Sequence, residues 1–97
     1  MIFNIQNQRL VDLVHELCKQ PKEAEWIEFK VNNANPQEIG EYISALANTA
    51  TLMGRPRAYL IWGITDQTHE LVGTQFVPST AKKGNEELES WLLRIKD

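Results

Sequence analysis

Cysteine is nearly absent from this chain of 97 residues, and a single one, Cys18, cannot form an internal disulfide. That excludes a disulfide-stapled secreted scaffold and makes a reducing, cytoplasmic compartment the expectation. With one cysteine and two histidines, His15 and His69, far apart in sequence, there is no zinc-ligand spacing either. Long apolar runs are missing, so nothing reaches the roughly 20 residues of a membrane span, and the first residues lack a basic-then-apolar signal pattern. Positive charge is short as well: 10 Lys and Arg stand against 13 Asp and Glu, a net charge of −3. A protein that holds nucleic acid by bulk positive charge is therefore disfavoured, although a local basic patch is not. No glycine-rich phosphate loop or nucleophile elbow is present.

What the chain does have is a dense octet, Glu23-Ala24-Glu25-Trp26-Ile27-Glu28-Phe29-Lys30, with three carboxylates and a lysine on an apolar background. Side chains two apart share a strand face. Glu28 and Lys30 therefore fall on one face, and Ile27, Phe29 and Val31 on the other. Glu25 reads as solvated. A charged strand face of this kind is either a site floor or a solvated pair contributing about 0–1 kcal/mol.

The remaining elements follow from periodicity and breakers. Residues 5–19 have Leu10, Val11, Val14, Leu17 and Cys18 at helical spacing before Pro21, which puts Cys18 on a buried stripe as an inert thiol. Residues 26–31 read as a strand. Asn35 is an expected N-cap, with Pro36 at the first helical position and Glu38 at the third, for a helix running to about residue 50. Asn48, near its end, is expected to cap. A loop over 51–56 leads to residues 57–64, nearly all apolar, which read as a central strand covered on both faces. Residues 66–69 read as a turn, and 70–74 as the returning hairpin strand. Asn85 is placed to cap a final helix whose stripe is Leu88, Trp91, Leu92 and Ile95. No C-cap glycine follows it, so the expectation is one domain over 1–97, an N-terminal fragment of a longer protein. The expected class is α/β (α+β): a small two-layer domain with helices packed on a mixed sheet. If strands 26–31 and 57–64 are parallel, Glu28, Lys30 and Asp66 gather toward their carboxyl ends, where open αβ sheets carry their sites.

Glu23 with Glu28-Phe29-Lys30, then Ile43-Ser44-Ala45-Leu46-Ala47-Asn48-Thr49, Trp62-Gly63-Ile64-Thr65-Asp66 and Val72-Gly73, together resemble the Schlafen AlbA-type domain. The resemblance covers about residues 20–75. Family members commonly have a glycine pair soon after the Ala-Asn of the second helix. Here a longer loop has one glycine, Gly54, with Arg55 and Arg57 available to supply side-chain charge where backbone donors would otherwise serve.

This resemblance implies a nucleic-acid-binding module, for DNA or RNA, in a bacterial transcriptional regulator with downstream domains. Lys30, Arg55, Arg57, Lys82 and Lys83 are the candidate phosphate contacts. It implies as an alternative a metal-dependent endoribonuclease in which Glu23, Glu28 and Asp66 hold Mg²⁺ or Mn²⁺, cations suited to carboxylate and water oxygens. A third reading is a protein-interaction or homodimerisation module. Of the tryptophans, Trp62 and Trp91 read as core, while Trp26, sharing parity with Glu28 and Lys30, is the candidate for stacking a base.

Overall fold

The computed structural model describes residues 2–20, 25–65, 70–78 and 89–96. Its elements run β1 (Ile2–Asn4), α1 (Gln8–Cys18), β2 (Ile27–Lys30), α2 (Pro36–Leu52), β3 (Arg57–Trp62) and β4 (Trp91–Lys96). The N-cap of α2 is the one the sequence suggests, whereas that of α1 falls inside the span expected to be helical. Asn35 Oδ1 accepts from the backbone N–H of Gln37 (2.9 Å) and Glu38 (3.2 Å), with Pro36 opening α2. Asn7 Oδ1 does the same for α1 through the Leu10 N–H at 3.0 Å.

The sheet order is β1-β4-β3-β2. β2 and β3 are parallel, with Ile27 opposite Tyr59 and Lys30 opposite Trp62, and the other two pairings are antiparallel. The mixed sheet with packed helices is as expected, and the helices divide between its faces. Trp62 lines a cavity with Ile39 and Ile43 of α2, whereas Tyr59 lines a cleft with Leu13 and Leu17 of α1. By alternation, Ala58, Leu60 and Trp62 face α2, while Tyr59 and Ile61 face α1.

Three expectations are corrected. The final helix is not formed at Trp91–Lys96, which is strand β4, inserted between β1 and β3; residues 85–88 lie outside the described residues. With both faces of the sheet covered, β4 buries residues of both parities, here Trp91 (1% exposed), Leu92 (0%) and Ile95 (8%), so its apolar run carries no diagnostic period. The first helix is shorter than 5–19: the Ile5 N–H still donates to the Ser90 carbonyl beside β4 (2.9 Å), and Asn7 caps the helix, which begins at Gln8. The returning strand at 70–74 reduces to isolated bridges, Ile64 with Leu71 and Thr74 with Glu89.

The core centres on β3 and β4: Trp62, Trp91, Leu60, Ile61, Ile64 and Leu92 are fully buried. Each such side chain contributes about 1.5–3 kcal/mol relative to exposure.

Candidate functional site

Parallel pairing brings the carboxyl ends of β2 and β3 together, and the loops beyond them are tied to one another. The Lys30 carbonyl accepts from the N–H of Gly63 (2.8 Å) and Ile64 (3.3 Å). The Gly63 carbonyl in turn accepts from Val72 (2.8 Å) and Gly73 (2.9 Å). Gly63 and Gly73 adopt φ of 96° and 80°, the left-handed region that glycine enters without a Cβ penalty. So the two glycine motifs, ten residues apart in sequence, meet in one backbone junction. Asn32 secures it from the other side: its Oδ1 accepts from Thr74 Oγ1 and from the Gln75 N–H, both at 3.0 Å. Trp62 Nε1 donates to the Asn33 carbonyl at 2.8 Å, and the Trp62 ring stacks on Phe76.

Glu28 and Lys30 project together, as their parity required. Lys30 Nζ lies 3.2 Å from Glu28 Oε1 and 4.4 Å from the centroid of the Tyr42 ring on α2. Burial by itself lowers the Lys30 ammonium. Hydrogen bonds to Tyr42 and Glu28, with the attraction of the Glu28 charge, outweigh that and leave it above the usual lysine value. β2 is an edge strand, and inward-pointing charge is one way such an edge resists pairing with another sheet. The pair thus has a structural use regardless of any ligand.

Arg55 and Arg57 lie elsewhere. α2 ends in a Schellman motif, with the Gly54 N–H on the Thr51 carbonyl (3.1 Å) and the Arg55 N–H on the Ala50 carbonyl (2.8 Å); Gly54 has φ 69°. This turn aims Arg55 back over Trp26, with Cζ 3.6 Å from the ring centroid. Trp26 is buried and meets Tyr59 edge-on at 6.2 Å. It precedes β2, and it lines the α1-side cleft, so strand parity did not group it with Glu28. Stacking of a base directly on Trp26, the sequence expectation, is corrected: Arg55 already covers the ring. Arg55 and Arg57 are both exposed at the rim of a cleft of about 370 Å³ between α1 and the start of β3. Among the described residues neither arginine is in an ion pair.

The candidate cations therefore separate, with Lys30 on the α2 side of the sheet and the two arginines on the α1 side. Glu23, Asp66, Lys82, Lys83 and His69 lie outside the described residues. Among the described residues no group of three His, Cys, Asp or Glu side chains is placed to hold a metal ion. His15 and Glu25 are exposed. Asn48 does not cap α2; it sits exposed inside it, four residues before Leu52. Cys18 is half-buried, and burial pushes its thiol up, away from reactivity. The Trp26–Arg55 stack was not foreseen: no local pattern links two residues 29 apart, and Gly54 before Arg55 was the sole sequence signal.

These features define a small α+β module whose parallel strand pair ends in a glycine junction and whose opposite end carries an arginine-rimmed aromatic cleft. The family model described as Schlafen, AlbA_2 matches residues 23–96, and the chain belongs to that family. Membership supports a domain related to nucleic-acid binding. No curated protein and no solved structure gives a significant match. No helix among the described residues is long and apolar enough to cross a membrane.

Proposed function

We propose that this domain binds nucleic acid through its phosphates, as one module of a larger bacterial-type transcriptional regulator, with Arg55 and Arg57 as the principal contacts. The observation that supports this reading most is the pair of exposed arginines without acidic partners among the described residues, on a chain that is acidic as a whole. Lys30 is a lesser contact, since Glu28 already answers its charge. Binding should weaken steeply as salt rises, because each phosphate neutralised releases condensed counterions, with a log–log slope of about −0.7 to −0.9 per contact. Titration of labelled DNA and RNA across a salt series checks this. Absence of binding at low salt would remove the reading.

One observation keeps the metal-dependent ribonuclease as a second reading. The parallel register carries Glu28's strand and the strand leading toward Asp66 out at the same edge. Glu28 is the one described member of the carboxylate set, and a hard divalent cation bound there would compete with Lys30 for it. Mn²⁺-dependent cleavage of structured RNA, lost in Glu28→Gln, is the expected result of this reading. Cleavage that survives the substitution, or none with either metal, counts against it.

A further inference from the structure

The Arg55 guanidinium has two faces, and Trp26 occupies one. Arg55 as a residue is exposed, so the outer face and the rim of N–H donors look into the α1-side cleft. The cleft floor is apolar and aromatic, from Leu13, Leu17 and Tyr59, and Arg57 stands on the same rim two residues further along the chain. A volume of about 370 Å³ is at the small end of ligand pockets, which run from about 300 to 1,000 Å³. Planar guanidinium groups stack on flat π-systems and offer donors in their own plane, which an ammonium cannot do. Stacking on Trp26 removes much of the rotational freedom of the arginine in advance, which lowers the cost of ordering it on binding. Unpaired bases, unlike those within a duplex, have free faces to stack on aromatic rings and on guanidinium planes.

We infer that the Trp26–Arg55 stack is a platform for one unpaired base of a single-stranded nucleic acid, with Arg57 on an adjoining phosphate. This rests on the phosphate-binding reading above and adds to it a preference for single strands. Tyr59 and the α1 leucines bound the space beside the stacked base, and sequence selectivity is low, because every base has a π-face.

The test compares binding of the 97-residue chain to a short oligothymidylate, an abasic strand with the same number of phosphates, and a duplex of equal length. The intact strand should bind about tenfold more tightly than the abasic one, and more tightly than the duplex. Arg55→Lys retains the charge but not the plane. It should erase the difference between intact and abasic strands while leaving the salt slope in place. Arg57→Gln should lower the salt slope by about one contact and keep the difference. Equal binding of intact and abasic strands by the unaltered protein overturns the inference, as does a preference for duplex. Displacement of the strand by free thymidine monophosphate at matched phosphate concentration also overturns it, in favour of a nucleotide pocket. In each of these cases the phosphate-binding reading survives; if no strand binds at low salt, both fall.

Discussion

At the scale of single residues, Gly63 carries the tightest constraint. Its φ of 96° is unfavourable for any side chain, and a Cβ built there collides with Ser90 Oγ and lies 3.0 Å from Ser90 Cβ and 3.2 Å from the Gly73 backbone. Gly63→Ala is expected to cost about 2–5 kcal/mol, from roughly 1–2 of left-handed strain and roughly 1–3 of overpacking. Chemical denaturation measures this directly, and a loss below 1 kcal/mol would mean the junction relaxes freely. Gly54 offers a contrast: its φ is 69° but a Cβ there meets nothing within 4 Å, so strain alone applies. The sequence marks Gly54 as a breaker, whereas Gly63 reads as part of the strand over 57–64. It did not show that Gly63 and Gly73 meet, because that contact forms only when the loop after β3 folds back on the strand end. Asn32 was equally hidden. It reads as an ordinary turn residue, yet its Oδ1 links the β2 exit to Thr74 and Gln75, more than 40 positions later.

Among the elements, β2 was the most legible and β4 the least. Alternation in Ile27–Lys30 shows because α1 and α2 cover chemically different faces, one apolar and one charged. In β4 both faces are core, so Trp91, Leu92 and Ile95 satisfy a helical stripe and a buried strand equally well. Strand β1, three residues long, has no pattern of its own and exists through its pairing with β4. The charged face of β2 also has a pH signature. The Lys30 ammonium is held above its ordinary value, so its stabilising contribution is present below the unfolded-chain pKa of about 10.4. That contribution is lost as pH rises through the higher folded value. Lys30→Met should therefore lower the Tm at neutral pH, with the gap to the unaltered protein closing above about pH 10. Melting curves from neutral to strongly alkaline pH follow that gap; one that persists undiminished would assign the loss to packing on Tyr42 instead.

For the molecule as a whole, the sheet order leads to the expectation that the described elements unfold as one cooperative unit. β4 joins β1 to β3, and within the sheet there is no other link between the first strand and the parallel pair. Deleting residues 91–97 should abolish cooperative unfolding altogether, with loss of near-ultraviolet circular dichroism; a truncated chain that still melts in one sharp transition would contradict that reading. The two ends of the sheet also divide the candidate chemistry, with the glycine junction at the carboxyl ends of β2 and β3 and the arginine cleft near their starts. Their separation means that substitutions at Gly63 and at Arg55 should act independently, as distant sites usually do. The insertion of β4 has a further consequence for synthesis on the ribosome. Until residues 91–96 emerge, β3 presents Leu60 and Ile61 as an unpaired apolar margin, and β1 waits for β4, which is made well after it. Nascent chains of this protein therefore pass through a stretch of elongation in which almost all the core residues exist but the sheet cannot close. Shielding by a chaperone, or a slow pause placed after β4 and not before it, would favour productive folding.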